Sequence, residues 1–252
     1  MIYCSGCSRF YYNSNAVNAP LLTEAGQMHV TGSLDYGGDE PAIDIQGAWS
    51  PVNHLGIIAN LSSLKQSQGD QGILGQQPAV VARMAEAGAG YYYAYGSKKI
   101  SLVLDIYGGP GIGYFKSDIN SNFARFFVQP GIGMRTHFAE LVFNWRMSGI
   151  HYFNLNTNGN NDTYLEQQNL LTTNGRRIDH GSYVFSEPSI TLRAGYKVLK
   201  FQVQYVWVNS LSNVPWNYNT GIFSFGLAFK LEEAKNLIHR NMPKARNEEK
   251  PL

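Results

Sequence analysis

The sequence predicts an all-β fold, a transmembrane antiparallel up-and-down β-barrel of about ten strands with a short C-terminal helix, on three observations. Apolar and polar residues alternate with period two through ten separate segments. The connections between these segments are alternately short and long. Only 15% of the 252 residues are charged, against roughly 25% in an average soluble domain, yet the chain holds 16 Tyr and 13 Phe.

The segments, in order, are GQMHVTGSL (26–34), AIDIQGAW (42–49), HLGIIANL (54–61), ARMAEAGAGYYYAY (82–95), ISLVLDIY (100–107), FARFFVQPGIGMR (123–135), FAELVFNWRMSG (138–149), SITLRAGY (189–196), FQVQYVWV (201–208) and GIFSFGLAF (221–229). Apolar residues recur at i+2 in each rather than at i+3 and i+4, the strand period and not the helix period. No window approaches the roughly 18 uninterrupted apolar residues of a spanning helix, so a membrane reading has to come from strands. Mean hydropathy of -0.24 does not decide the matter, because alternation averages to neutral.

Which face meets the surroundings follows from where the charges fall. One face carries Asp44 and Gln46, Asn60, Glu86, Asp105, Arg125, Arg135, Glu140, Asn144, Arg146, Arg193, Gln202 and Gln204. The other carries Leu55, Ile57, Leu61, Leu102, Leu104, Ile106, Leu141, Phe143, Trp145, Met147, Ile190, Leu192, Phe223, Phe225, Leu227 and Phe229, with no Asp, Glu, Lys or Arg among them. In a membrane barrel the apolar face lies in lipid and the polar face lines the lumen. Segments of about 8 to 14 residues suit the roughly 9 to 11 that a tilted spanning strand needs. Asp44, Glu86, Asp105, Arg125, Arg135, Glu140, Arg146 and Arg193 then form a lumenal charge network, four acids against four arginines. Bidentate arginine–carboxylate pairs would satisfy them in a narrow interior, so a plug of ion pairs is expected rather than a conducting pore.

Connection lengths are independent of face. After the even segments the links are SPVN, GSKK, TH and KVLK. Several odd links are long, polar and rich in Asn, Gln and Gly. One end is therefore short-turned and the other long-looped, as in bacterial outer-membrane barrels, and an even strand number places both barrel termini at the short-turn, periplasmic end. Tyr91, Tyr93, Tyr95, Trp49, Phe138 and Tyr196 approach that end, where an aromatic girdle belongs.

Residues 1–25 form an extended N-terminal segment, and both cysteines lie there. Cys4 and Cys7 have CxxC spacing, which a redox pair or half a zinc site would share, but no βαβ pattern surrounds them and no second pair completes a site. Ser5-Gly6-Cys7 also has the small residues that precede the acylated cysteine of a bacterial lipoprotein, which makes Cys7 a candidate lipidation site, with Cys4 standing where Leu is usual. The other reading is an unstructured terminus.

Residues 230–252 form a charged periplasmic tail, helix-like through Glu232 to His239, with an apolar stripe of Leu231, Ala234, Leu237 and Ile238 that could dock on an envelope partner. The tail holds six Lys/Arg and four Asp/Glu, and the remainder of the chain 14 of each, so the net charge of +2 resides there. No basic surface of the kind that binds nucleic acid is present. GIFSFGLAF, with Phe225, Gly226 and Phe229, is similar to the terminal strand read by the barrel-assembly machinery.

Chemistry-bearing motifs are sparse. Gly-Gly-Pro-Gly-Ile-Gly at 108–113 lacks the Lys-Ser/Thr of a phosphate loop. With its echo at 130–133 it reads as glycines relieving crowding in curved strands, Pro110 and Pro130 marking bulges. Asp179 and His180 adjoin in the longest loop, and Asp118 lies in another. Acid and imidazole together can activate water, as in ten-stranded outer-membrane proteases, but no nucleophile motif supports them and the strands look short for so tall a barrel. His29, His54, His137 and His151 show no metal-ligand spacing, and no cofactor is implied.

NAPLLTEAGQMHVTG (18–32), AWSPVNHLGI (48–57), RFFVQPGIGM (125–134), EPSITLRAG and LKFQVQ (187–204) together resemble a group of outer-membrane barrels of Bacteroidetes, some with lipoprotein-like starts. The resemblance implies fold and lineage and carries no functional residue. The expectation is therefore a non-enzymatic barrel at 26–229 in the bacterial outer membrane, a structural or interaction component in contact with outer-membrane lipid and displaying polar external loops. The rivals are a narrow solute pore, a surface enzyme of protease-like or lipid-modifying type, and a soluble lipocalin-like ligand binder.

Overall fold

The computed structural model describes residues 10–37, 41–66, 80–97, 99–171, 175 and 177–233. Its strands are β1 (Met28–Tyr36), β2 (Ala42–Val52), β3 (Leu55–Gln66), β4 (Val80–Gly96), β5 (Ile100–Lys116), β6 (Asn120–Thr136), β7 (Ala139–Asn156), β8 (Ser182–Tyr196), β9 (Leu199–Trp207), the two-residue β10 (Asn209–Ser210) and β11 (Gly221–Lys230). Each long strand pairs antiparallel with its chain neighbours, and β1 pairs with β11 from His29↔Lys230 to Tyr36↔Phe223. The sheet therefore closes into an up-and-down barrel of ten long strands, with β10 added against β8. Closure removes the unpaired edges that a bilayer would not tolerate.

The alternation sorts as expected. Leu61, Leu104, Phe143, Trp145, Leu192 and Phe225 are exposed on the outer wall, while Asp44, Glu86, Arg125, Glu140, Arg146 and Arg193 are buried inside it. The six girdle aromatics are likewise on the outer wall. Among the described strand residues no Asp or Glu faces outward.

Strand length departs from expectation. β4 to β8 run 15 to 18 residues; β5 continues through Gly108–Gly113 to Lys116 instead of stopping at Tyr107, and β8 begins at Ser182 rather than Ser189. Nor do Pro110 and Pro130 mark bulges: the β5–β6 register is constant from Ile100↔Thr136 to Lys116↔Asn120. Glycine is needed there for close approach, since a Cβ on Gly109 would stand 1.9 Å from the Ala87 carbonyl oxygen. At about 3.3 Å per residue and a tilt near 40°, 17 residues rise roughly 40 Å, beyond a hydrocarbon core of roughly 30 Å.

The N-terminal segment does not stay outside. Tyr11 bonds to the Asn217 carbonyl at the long-loop end, residues 14–22 are buried, and Ala25 bonds to Asn53 at the short-turn end. This segment threads the lumen from end to end: residue 10 lies at the long-loop end, while the barrel's own termini, the start of β1 and the end of β11, pair at the short-turn end. Cys4 and Cys7 lie outside the described residues. So does the tail beyond 233; the preceding residues 231–233 are helical.

The filled lumen is layered. Tyr12, Phe115, Tyr152, Tyr183, Phe185 and Trp216 pack with α1 (Asp162–Gln167) through Leu165 as an aromatic cap at the long-loop end. Leu21, Leu22, Ile58, Tyr92, Tyr107 and Phe127 form a second apolar layer toward the short turns. Between them lies the charged layer.

Candidate functional site

Two places hold chemistry, the lumen and the outer wall near the long-loop rim. In the lumen, Glu187 of β8 is the hub. Its Oε2 accepts from Arg125 Nη2 and Arg146 Nε at 2.5 Å each and from Ser148 Oγ at 3.0 Å, and its Oε1 accepts from the Tyr12 hydroxyl. Arg125 also reaches Glu86 at 3.2 Å. A second hub is Glu140, which binds Arg193 at 3.2 Å, Lys200 at 3.0 Å, Arg135 at 3.8 Å and Lys230.

Of the eight residues expected in the charge network, all line the lumen. Six are joined by ion pairs, while Asp44 and Asp105 have no cation at ion-pair distance among the described residues. Asp105 instead shares the space over Gly131 with Asn144: a Cβ there would sit 2.3 Å from Asp105 Oδ1 and 2.2 Å from Asn144 Nδ2. Glu187, Lys200, Lys230 and Tyr12 were missed. Glu187 has the inward parity of Ser189 and Arg193, but Pro188 hid the strand that carries it.

Barrel side chains bind the threaded segment through its backbone. Gln204 accepts from Val17 N at 2.7 Å and donates to Val17 O at 2.8 Å, as a neighbouring strand would. Gln129 donates to Asn18 O at 2.7 Å, Arg193 to Ala19 O at 2.7 Å and Arg146 to Asn15 O at 2.9 Å. These bonds satisfy backbone groups that burial would otherwise leave unpaired. They also commit Gln129, Arg146, Arg193 and Gln204 to the threaded segment rather than to a lumenal solute.

At the rim, the expected Asp179–His180 pair does not assemble. Both lie in a 3-10 turn; Asp179 is bonded by Arg177 at 3.2 Å, and His180 is exposed. Asp118 accepts from the Tyr164 hydroxyl at 2.5 Å and the Tyr11 hydroxyl at 3.3 Å, which holds the cap to the β5–β6 turn.

A different pair does come together. His151 of β7 and Ser182 of β8 are direct cross-strand partners, both exposed on the outer wall. Ring nitrogen Nδ1 of His151 lies 3.2 Å from Ser182 Oγ and 3.2 Å from the Gly181 carbonyl oxygen. Protonated at Nδ1, the ring donates to that carbonyl; protonated at Nε2, it accepts the serine proton. No sequence motif announced the pair, since the two residues are separated by the longest loop.

Beside them runs a groove of about 570 Å3 on the outer wall of β2 to β7, lined by Ile43, Ile45, Leu61, Ala85, Ile112 and Phe153. Phe153 lies two residues from His151 on the same face of β7. The small side chain of Ala85 recesses the wall between its cross-strand neighbours Leu61 and Ile112. Among the described residues no His, Cys, Asp and Glu cluster has the geometry to hold a metal.

No protein-family model and no curated protein matches the chain. Among solved structures it is similar in fold to LpxR from Salmonella typhimurium, with 7% identity over 80% of this chain and 99% of that one and a TM-score of 0.37. It is also similar to the outer membrane protease OmpT from Escherichia coli, with 12% identity over 81% and 93% and a TM-score of 0.28. A loop-deletion mutant of OmpT, an outer membrane protein of Vibrio cholerae, matches at 5% identity over 81% and 97%, with a TM-score of 0.25.

The non-enzymatic expectation is corrected here. It leaned on strands too short for a rim enzyme, and that objection fails against β4 to β8, at 15 to 18 residues.

Proposed function

We propose that the chain resides in the bacterial outer membrane with its long loops outward and acts as a surface enzyme on lipid acyl esters, using the outer wall rather than the lumen. The observation that carries this reading is the exposed Ser182–His151 pair beside an apolar groove, on a barrel whose axis is filled. Ser182 Oγ adds to the ester carbonyl while His151 takes its proton. The ester C–O bond then breaks, and the imidazolium protonates the departing alcohol. Water, deprotonated by the same imidazole, releases the acyl group and regenerates the serine.

Purified full-length protein in detergent micelles should hydrolyse a long-chain acyl ester. Ser182→Ala or His151→Ala should each slow hydrolysis by on the order of 100-fold or more, with unchanged heat-modifiable migration. A wild-type protein without turnover, or variants as fast as wild type, would contradict the assignment.

A further inference from the structure

The outer wall carries three cations among its described strand residues, and all lie at the long-loop ends of three adjacent strands. They are Lys65 of β3, Arg83 of β4 and Lys116 of β5, each exposed. The register sets their spacing. Lys65 and Lys116 flank Val81 on either side, and Arg83, two residues along β4, lies between Ser63 and Tyr114. With strands about 4.8 Å apart, the two lysines are roughly 10 Å apart at Cα, and Arg83 stands about 7 Å nearer the bilayer centre. Lys116 Nζ sits 5.5 Å from the centroid of the Tyr114 ring.

This triangle tops the groove, and Arg83, Tyr114 and Asn122 are part of its lining. Below them Leu61, Ala85 and Ile112 align across the strands, followed on the same row by Ala124, His151 and Ser182. Cations at the rim, a recessed apolar channel beneath them and no outward acid among the described strand residues match one occupant in charge and polarity. The groove volume falls in the roughly 300–1,000 Å3 range of small-molecule sites.

We infer that Lys65, Arg83 and Lys116 bind a phosphate monoester on the headgroup of an acylated lipid, with an acyl chain in the Ala85 groove. The inference rests on the proposed reading of this rim as the lipid-facing working surface, and it names the substrate class: phosphorylated rather than neutral or zwitterionic lipid. Two strands, roughly 10 Å, and four residues along them, roughly 13 Å, separate Lys116 from His151, about 16 Å in all, so a phosphate on the triangle leaves an ester of the same multiply acylated molecule within reach of Ser182.

Native mass spectrometry of the full chain in detergent, with added dioleoyl phosphatidic acid or dioleoyl phosphatidylcholine, tests it. The Ser182→Ala variant is measured alongside so that turnover cannot consume the probe. Phosphatidic acid should be retained in preference, and the preference should fall about fivefold for each cation replaced in Lys65→Gln, Arg83→Gln and Lys116→Gln. Ala85→Trp, which fills the groove, should lower retention of both lipids. Equal retention of the two lipids by wild type, or an undiminished preference in the triple variant, would overturn the site. A phosphate preference that survives with no ester turnover supports this site and sinks the catalytic reading alone.

Discussion

The two faces of this wall solve opposite problems with one alternating pattern. Inside, charges are taken from water and every favourable arrangement is a pairing: Glu187 joins two arginines and Tyr12, Glu140 gathers four cations, and amides of the barrel bond the threaded backbone. Outside, apolar side chains need no partners, and among the described strand residues charged side chains appear only at the long-loop rim. The comparison teaches that the large charged inventory of this chain is structural. The sparse outward polar residues are the ones left free for chemistry.

Removing the inner hub should have the largest effect. Glu187→Ala strands Arg125 and Arg146 in a closed interior, and breaking a buried pair costs about 3–5 kcal/mol. Urea unfolding from micelles should show the loss, and Glu187→Gln should recover part of it. Next in size is Phe143→Arg, which places a charge on the outer wall at a cost of about 2–4 kcal/mol if that position lies near the bilayer midplane. An outward arginine tolerated without cost would break the comparison.

Gln204→Ala should come third. It removes both bonds to Val17 and should cost about 1–3 kcal/mol, with faster hydrogen exchange confined to residues 10–22. The smallest effect belongs to Glu232, below the barrel. Burial favours its neutral form, but the hydrogen bond and charge of His29 outweigh burial and hold the carboxyl below its ordinary 4.5. With a depressed folded value, its contribution is complete above about 4.5 and is lost as pH falls through that lower value. Glu232→Gln should flatten the acid limb of the stability profile.

Fold and orientation were legible because period two and end-asymmetric loops are local signals. Val203 and Gln204 declare opposite faces within two residues. Strand ends were less legible: the alternation fades after Tyr107 and before Ser189, although β5 runs on to Lys116 and β8 starts at Ser182. The threaded segment was hidden because NAPLL has no period to betray a lumen, and it is held through its own backbone groups. Legible charges gave the lumenal set but not its hub. The His151–Ser182 pair could not be read, since only the register of β7 on β8 brings it together.

Tryptophan fluorescence quenching by brominated-chain lipid tests the division of the wall most directly. Trp145 is half-exposed on the outer wall and Trp216 is buried in the cap. In liposomes, a variant keeping only Trp145 should be strongly quenched, and one keeping only Trp216 should be almost unaffected. Strong quenching of Trp216 with Trp145 spared would contradict the account.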